Sequence, residues 1–410
     1  MSKQHPFILY RDSLTAFRRW REHGRDAAAF DALVLELDAA VVEIDGGGMI
    51  HTPMVELRAA GKVSSARVFA KVEAQSVSGS HKSRHVFGLM LDLLVQEQVG
   101  ELTERRPLAI ASCGNAALAA AVVAAAVKWP INVYVPANAP QSTLNRLTEL
   151  GAKVVVARRK ASEIGDPTVL RFREDVASGA IPFCCQGTEA PGTFDGGVVL
   201  GHEIVADLEH RQIEVDHVFI QVGGVALMSA VWRGMSAGCS DLKRRRPRFH
   251  SVQTLGGYPL VRGWRIAIDD VAARLGTGMG GAVEPRVAVE IASGPSAAEA
   301  RAAAYRRMDE EPECYMWAWH NVPKSIASGI LDDETYDFVD CVKAMIDTGG
   351  VALAVAEQTL RDARDLTEDE VETPISYTGA AGLAGLLAAH ELGIVRAGDK
   401  ALVILSGVRR

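Results

Sequence analysis

Short apolar runs alternate with longer segments of helical period from Arg67 to the end of the chain. The runs are rich in β-branched residues, whereas the longer segments are rich in Ala and Leu. This alternation is typical of βα units that build a parallel sheet. It predicts strands over Arg67–Glu73, Leu108–Ser112, Ile131–Val135, Lys153–Ala157, Ile181–Cys184, His217–Val222, Arg248–Gln253 and Lys400–Leu405. It predicts helices over Asn115–Lys128, Pro140–Leu150, Asp166–Ser178, Gly196–His210, Ala226–Ala237, Ser296–Met308, Asp333–Asp347 and Ala380–Leu392.

One predicted helix is apolar on every side. The segment Leu118–Val127 has no polar face, so this helix should be packed between other layers of the protein. That position favours an α/β fold with a doubly wound, mostly parallel sheet whose faces are both covered. Residues 255–295, by contrast, are glycine-rich and weakly periodic, which predicts a loop-rich connection.

The composition is that of a folded protein. The 410 residues suffice for two or three folding units of about 150 residues each. Apolar residues make up 48% and charged residues 23% of the chain, with a net charge of −7. This balance excludes a disordered chain and argues against nucleic acid as a main partner.

The sequence also allows predictions about membrane spans, cellular location and metal sites. The longest apolar run, Ala116–Val127, is shorter than the roughly 20 residues that cross a bilayer, so no membrane span is predicted. Residues 1–25 lack the apolar region of a signal peptide, which predicts a cytoplasmic location. The six cysteines show neither metal-ligand spacing nor disulfide-framework density, so no metal site is predicted.

Four polar or glycine-rich loops carry the candidate chemistry, because in an open α/β sheet such loops meet at the ligand crevice. The first loop, Ser78–Arg84, places Lys82 among small residues at the start of a helix. The positive end of the helix dipole disfavours a protonated amine at this position. An uncharged amine is what a Schiff-base lysine needs.

The other three loops offer binding groups. Ser112–Asn115 precedes a helix whose unpaired N–H groups suit a carboxylate. Val222–Ala226 contains two glycines that allow a phosphate to approach the backbone, and Leu405–Gly407 places a hydroxyl where a ring nitrogen could bond. Taken singly, a Gly-Gly turn is more often a tight connection and a lone lysine is usually solvated. The order of the four loops is what indicates a shared site.

This order of loops resembles that of the fold type II pyridoxal-phosphate enzymes, the superfamily of the tryptophan synthase β-subunit, threonine synthase and the serine/threonine dehydratases. Ser80–Arg84 is similar to the family motif Ser-x-Lys-x-Arg, and Ser112–Ala117 to its Ser-x-Gly-Asn loop. Gly223–Leu227 resembles the family's phosphate cup. Gly192–Glu203 is similar to a segment of threonine synthase and the dehydratases before a core helix.

The resemblance implies pyridoxal 5'-phosphate as the cofactor and a role for each matching residue. Lys82 is implied as the catalytic residue, first as the Schiff-base lysine and then as the base for the α-proton. The implied cofactor-binding residues are Lys82, His81, Asn115, Gly223, Gly224, Val225, Ala226, Leu227 and Ser406, with Thr378 as the alternative to Ser406 beside the ring nitrogen. The predicted substrate-binding residues are Ser112, Cys113, Gly114, Asn115 and Gln186.

Two segments depart from the family pattern. The cup has Val225 and Ala226 where the family usually has glycines, and a β-branched residue resists positive φ. The loop geometry or the cofactor affinity should therefore differ from the family's. The family's Glu-Gly…Glu-Pro segment is not recognisable, and the longer stretch Gly349–Thr378 stands in its place.

The resemblance also implies an architecture. It is a two-lobed α/β fold of doubly wound, mostly parallel sheets. An N-terminal extension, 1–50, packs on the core. A large cofactor domain comprises 51–80 and 190–410, and a smaller mobile domain comprises 81–189. A homodimer is implied by the resemblance alone.

The implied function is a lyase or synthase that acts on a small β- or γ-substituted amino acid through α-proton abstraction and elimination, as in threonine synthase and the threonine or serine ammonia-lyases. A β-replacement synthase that makes a non-standard amino acid is an alternative. A cofactor-free binding or regulatory relative is a further one. A nucleotide-binding oxidoreductase would need a Gly-x-Gly-x-x-Gly turn on the first strand, which the sequence does not show.

Overall fold

The computed structural model describes residues 5–160, 163, 165–241, 245–276, 285–320 and 323–410. Over this part of the chain the helices are α1 (Pro6–Leu9), α2 (Thr15–Glu22), α3 (Ala27–Asp45), α4 (Arg58–Ser64), α5 (Lys82–Val99), α6 (Asn115–Ala126), α7 (Gln141–Glu149), α8 (Pro167–Ala177), α9 (Thr193–His210), α10 (Ala226–Asp241), α11 (Pro259–Arg274), α12 (Pro285–Ser293), α13 (Ala298–Glu310), α14 (Phe338–Thr348), α15 (Glu357–Glu368) and α16 (Tyr377–Glu391). The strands are β1 (Met54–Glu56), β2 (Arg67–Val72), β3 (Leu108–Ala111), β4 (Ile131–Pro136), β5 (Lys153–Ala157), β6 (Ile181–Pro182), β7 (His217–Gln221), β8 (Arg248–Thr254), β9 (Ala352–Val355) and β10 (Lys400–Leu405).

The chain divides into two compact units. Unit 1 comprises Met1–Thr52 and Gln75–Glu203, and unit 2 comprises Pro53–Ala74 and Ile204–Arg410. The domain boundaries and the mobility expected from the sequence remain predictions. In the described part of the chain, no helix is long and apolar enough to cross a membrane.

Unit 1 is built on a four-stranded parallel sheet. Its strand order is β5-β4-β3-β6, and β3 pairs with β4 from Leu108 opposite Ile131. The apolar helix α6 is buried from Ala117 to Ala124 and packs against α3 and α5, as its lack of a polar face predicts. The N-terminal helices add Phe7, Trp20 and Phe30 to the same core.

Unit 2 is built on a six-stranded sheet. Its strand order is β1-β2-β10-β7-β8-β9, and every pairing is parallel except that of β1 with β2. β7 is buried along its whole length, as is expected for a central strand of a parallel sheet covered on both faces. The predicted α/β fold with mostly parallel sheets is therefore confirmed.

The prediction of a loop-rich connection over residues 255–295 was wrong. α11 and α12 lie in this region, and residues 277–284 lie outside the described part of the chain. Leu260, Trp264, Ala267 and Val271 are buried at helical spacing along α11, so the period was present. The glycines that flank this helix hid the period. The sequence pattern also missed β1 and β9.

A chain of hydrogen bonds joins the amino ends of the strands in unit 2. The Val351 N–H donates to His250 Nδ1 at 3.1 Å, so His250 carries its proton on Nε2 and donates to His217 Nδ1 at 3.0 Å. His217 then donates from Nε2 to Asp399 Oδ2 at 3.2 Å. Each histidine is thereby held as one neutral tautomer, and burial lowers the pKa of both.

This network predicts that acid destabilises the protein. The unfolded chain takes up protons on these histidines near pH 6.5, whereas the folded chain does so only at lower pH. The free energy of unfolding should therefore fall as the pH drops from about 7 to 5. His250→Gln should flatten that dependence and cost about 1 to 3 kcal/mol at neutral pH, because a buried partner is lost.

Urea unfolding measured at a series of pH values tests this expectation. His23→Gln is the control, because His23 is exposed and lies outside the network. An unchanged pH dependence in His250→Gln would contradict the assignment.

Candidate active site

Lys82 is the first residue of α5 and follows a tight turn. Ser78 and Gly79 have φ values of 51° and 66°, two successive left-handed residues that turn the chain into the helix. The Ser78 N–H donates to Asp45 Oδ2 at 2.7 Å, which anchors this turn. Lys82 is partly exposed, whereas Ser80, His81 and Ser83 around it are buried. Lys82 is therefore a partly exposed residue in an otherwise buried segment.

Helix α9 holds the first turn of α5 through backbone and side-chain contacts. A Cβ atom on Gly196 would lie only 1.7 Å from the carbonyl oxygen of Arg84, so only glycine allows this crossing. Arg84 donates from both terminal nitrogens to the carboxylate of Glu203, at 2.7 and 3.1 Å. Both side chains are fully buried, and such a bidentate pair restricts orientation strongly. The position of Lys82 thus depends on α9.

Two titratable neighbours of Lys82, His85 and Cys185, are uncharged at neutral pH. His85 Nδ1 lies 2.7 Å from the carbonyl oxygen of Thr193, so Nδ1 carries the proton. Burial, and next the charge of Lys82, lowers the pKa of His85 to about 3. Burial also raises the pKa of the Cys185 thiol, although the charge of Lys82 opposes this shift. Neither side chain competes with Lys82 as a cation or an anion.

The predicted substrate loop lies between β3 and α6 in the same unit. Ser112 begins the loop, and its Oγ accepts from the Gly114 N–H at 3.3 Å. Asn115 is the first residue of α6, whose first turn leaves N–H groups without helical acceptors. The turn Val77–Gly79 packs against α6, which makes the loop and the Lys82 segment neighbours.

Burial raises the pKa of Cys113, so this residue is a neutral thiol. Gln186 lies beyond β6 in the turn that follows Cys185 and is partly exposed.

The glycine turn of unit 2 runs from β7 into α10. Val225 adopts φ 81° and is 3% exposed, so a buried β-branched residue occupies the left-handed region. This conformation costs about 1 to 3 kcal/mol of backbone strain. The expected resistance of Val225 to positive φ is overcome, and the turn keeps a backbone shape that normally needs glycine. Ala226 and Leu227 follow as the first residues of α10.

A carboxylate packs on this turn. Asp332 Oδ2 lies 2.6 Å from the position that a Cβ atom on Gly223 would take, and 3.5 Å from the corresponding position on Gly224. The Asp337 N–H also donates to the carbonyl oxygen of Gly224 at 3.4 Å. The segment that contains Asp332 and Asp337 therefore covers the turn, and the sequence motifs did not indicate this contact.

Ser406 and Thr378 both lie beside β7 in unit 2. The Ser406 N–H donates to the Gly379 carbonyl oxygen at 3.2 Å, next to Thr378. Thr378 Oγ1 accepts from the Gly329 N–H at 3.1 Å, and the Ser406 hydroxyl oxygen accepts from the side chain of Gln221. Ser406 and the glycine turn therefore meet at the carboxyl end of the sheet.

The predicted site residues are divided between the two units. Unit 1 holds Lys82, His81, Ser112, Cys113, Gly114, Asn115 and Gln186, and unit 2 holds Gly223, Gly224, Val225, Ala226, Leu227, Thr378 and Ser406. Sequence reasoning missed Gln221, Glu203 and Asp332. A signal existed for Gln221, which is a polar residue inside the apolar run that precedes the Gly-Gly turn. In the described residues no cluster of three or more His, Cys, Asp or Glu could hold a metal ion.

Comparison with known proteins identifies related sequences. A family model described as "Pyridoxal-phosphate dependent enzyme" matches residues 47–407. The chain is 29% identical to the catabolic L-serine/threonine dehydratase of Saccharomyces cerevisiae over 189 residues, which cover 45% of this chain and 52% of that protein. It is 26% identical to cysteine synthase B of Escherichia coli over 110 residues, which cover 27% of this chain and 35% of that protein. The chain thus spans about half the length of the dehydratase.

Solved structures share the fold at low sequence identity. The processed form of threonine deaminase isoform 2 from Solanum lycopersicum superposes with a TM-score of 0.61 at 17% identity. The superposition covers 94% of this chain and 91% of that chain. The fold type II resemblance predicted from the four loops is confirmed.

The strain at Val225 predicts an unusual response to substitution. Val225→Gly relieves the positive φ, and this offsets most of the lost apolar burial, so the free energy of unfolding should change by less than about 1 kcal/mol. Val222→Gly, at an equally buried position without positive φ, should cost roughly 2 to 3 kcal/mol. Denaturant unfolding of both variants measures the difference. Equal losses would show that Val225 is unstrained.

Proposed function

Because the chain belongs to the family of pyridoxal-phosphate dependent enzymes, we propose that it is a lyase that eliminates the β-substituent of a small hydroxy amino acid. L-Serine and L-threonine are the proposed substrates, and a keto acid and ammonia are the products. The position of Lys82, partly exposed at the start of α5 in a buried surrounding, carries the proposal. The similarity to the yeast dehydratase supports the reaction class.

The residues present fit pyridoxal phosphate in each unit. In unit 2, the first turn of α10 follows the Gly223–Gly224 turn and leaves N–H groups without helical acceptors, which suits a phosphate. In unit 1, Ser80 Oγ of the Lys82 motif is fully buried and has no hydrogen-bond partner among the described residues. A buried hydroxyl in this state is suited to a ligand that supplies the missing partner.

Each predicted residue has one proposed task. The Gly223–Leu227 backbone binds the phosphate, and Ser406 bonds the ring nitrogen, with Thr378 as the alternative. Ser112, Cys113, Gly114 and Asn115 bind the substrate carboxylate, Asn115 also contacts the ring hydroxyl, and Gln186 completes the substrate site. His81 lies beside Lys82 and helps to enclose the cofactor. These roles rest on the motif resemblance and agree with the chemistry of the groups in each unit.

The cofactor, when bound, supplies a conjugated ring that spreads the negative charge left at the α-carbon. The Lys82 amine removes the α-proton, because its side chain is partly exposed at the start of α5 and can reach a bound substrate. The carboxylate loop fixes the substrate so that the α-proton faces this amine. The β-hydroxyl takes up a proton and leaves as water. The released enamine tautomerises to an imine, and one water hydrolyses this imine to the keto acid and ammonia.

A β-replacement synthase is the second candidate, favoured by the similarity to cysteine synthase B. It shares the steps up to loss of the β-substituent, but a nucleophile other than water then forms a new amino acid. A cofactor-free relative is the third candidate, because the cup departs from the glycine pattern. The homodimer, the cytoplasmic location and the lobe boundaries of 1–50, 51–80 with 190–410, and 81–189 are also proposals that rest on the resemblance.

The test of the proposed function is an amino-acid panel with wild type and Lys82→Ala. Wild type loaded with the cofactor should release keto acid and ammonia from L-serine or L-threonine. Lys82→Ala should lower the rate at least about a hundredfold, the usual effect of removing a positioned base. Lys153→Ala, at an exposed lysine of unit 1, is the control and should retain the wild-type rate.

The other outcomes separate the candidates. A new amino acid formed without ammonia would establish replacement. A protein that does not change its absorbance when the cofactor is added would favour the cofactor-free relative.

The Asp332 carboxylate should weaken binding of the phosphate. Its contact with Gly223 places a negative charge beside the turn, so Asp332→Asn should tighten cofactor binding about fivefold, as expected for a repulsion of roughly 1 kcal/mol. Tryptophan fluorescence during titration of the apoprotein measures the affinity. Asp333→Asn is the matched neighbour control. Pyridoxal without the phosphate should bind both variants as it binds wild type, and an equal gain for pyridoxal would overturn the explanation.

A further inference from the structure

The Gln221 side chain lies between Ser406 and two backbone carbonyls at the end of β7. Gln221 is 3% exposed and Ser406 is 2% exposed. Gln221 Nε2 lies 3.0 Å from the Ile404 carbonyl oxygen and 3.2 Å from that of Gly379. The same nitrogen contacts the Ser406 hydroxyl oxygen. Gln221 is thus the side chain that binds Ser406 from within the sheet.

The chemistry of these neighbours determines which end of the amide faces Ser406. Carbonyl oxygens only accept hydrogen bonds, so the NH₂ group of Gln221 must face them. A flipped amide would place Oε1 against two carbonyl oxygens and would leave the NH₂ group without those acceptors, at a cost of several unmade hydrogen bonds. The two hydrogens of this NH₂ group are shared among three acceptors, and because an amide nitrogen does not accept, Gln221 is the donor and Ser406 the acceptor in their contact.

Helix α16 keeps the amide in this orientation. A Cβ atom on Gly382 would lie 2.9 Å from Gln221 Oε1 and 2.8 Å from the carbonyl oxygen of Phe219. The glycine lets the helix backbone approach β7 until little space remains around the amide. Oε1 has no hydrogen-bond partner among the described residues, so the orientation is determined by the nitrogen end. The Gln221 side chain therefore has one favoured orientation.

We propose that Gln221 is a positioning residue that makes Ser406 a hydrogen-bond donor to the ring nitrogen of pyridoxal phosphate and keeps that nitrogen unprotonated. The inference rests on the proposed function, in which Ser406 faces this nitrogen. Gln221 occupies one of the two lone pairs of the hydroxyl oxygen, so the hydroxyl proton points away from Gln221 and the oxygen has one acceptor site fewer for a protonated ring nitrogen. A hydroxyl that accepts a hydrogen bond is also a stronger donor. Without Gln221 both lone pairs can accept and the hydroxyl is a weaker donor, so a protonated ring nitrogen is stabilised more than in the wild type.

The protonation state of the ring nitrogen determines the fate of the substrate once its α-proton has been removed. An unprotonated ring withdraws less negative charge from the α-carbon, so the β-substituent leaves before a proton returns. A protonated ring stabilises that charge longer and allows a solvent proton to return. Gln221 therefore favours elimination over exchange of the α-proton with solvent.

The experiment measures this partition in the cofactor-loaded full chain. L-Serine is turned over in deuterated buffer, and the deuterium in remaining substrate is compared with the keto acid formed. Gln221→Met keeps the volume of the side chain and removes the donor. The ratio of exchange to elimination should rise about fivefold, the factor that one lost hydrogen bond supplies. In the Ser406→Ala background the same substitution should leave the ratio unchanged, because the acceptor is gone.

Two controls distinguish positioning from general damage. Gln253→Met removes the other buried glutamine at this end of the sheet. Gln253 contacts Thr335, the Val222 carbonyl oxygen and two N–H groups of α11 but not Ser406, so the ratio should stay at the wild-type value. Nitrogen NMR of isotope-labelled cofactor in the wild-type protein should show an unprotonated ring nitrogen. This measurement stands even if Gln221→Met does not fold.

Three results would overturn the inference. They are an unchanged ratio in Gln221→Met, an equal shift in the Ser406→Ala background, and a protonated ring nitrogen in wild type. Failure of the proposed function is recognised separately, because wild type would then bind no cofactor or release no keto acid before any variant is compared. That outcome overturns both proposals.

Discussion

The first turn of α5 depends on a close helix crossing that only glycine permits. Gly196 brings α9 against the Arg84 carbonyl, and the buried Arg84–Glu203 pair fixes the angle at which the two helices meet. Lys82 belongs to the same helical turn, so its backbone position depends on contacts with residues more than a hundred positions away along the chain. The backbone that carries the partly exposed Lys82 side chain is thereby positioned by the buried contact of Gly196, which leaves no room for an added atom.

The sheet could be predicted from the sequence because its signal is local. Runs such as Lys153–Ala157 and Lys400–Leu405 have the β-branched composition that is typical of strands, and both strands have the predicted bounds. The prediction missed α11 for an equally local reason. The glycines near this helix suggested a loop, although its buried positions keep a helical period. The short strand β9 lies in a stretch that has no turn residues to separate it from α15.

The candidate site was predictable only in part. Loops that follow strands could be placed at one edge of each sheet, and a helix begins at Lys82, at Asn115 and at Ala226. Gln221, Glu203 and Asp332 were missed because their roles come from partners far away in sequence. Gln221 and Ser406, for example, are 185 residues apart. No spacing rule connects such residues before the fold is known. The sequence indicated that Val225 is unusual at its position, but only the structure gives its φ value.

The histidine chain from Val351 to Asp399 lies at the opposite end of the sheet from the glycine turn and Ser406. Protons taken up there act on the architecture and not on the reacting groups. A loss of activity in acid therefore includes a contribution from unfolding at the amino ends of these strands. A bell-shaped rate profile can be assigned to catalytic groups only over the pH range in which circular dichroism finds the secondary structure intact.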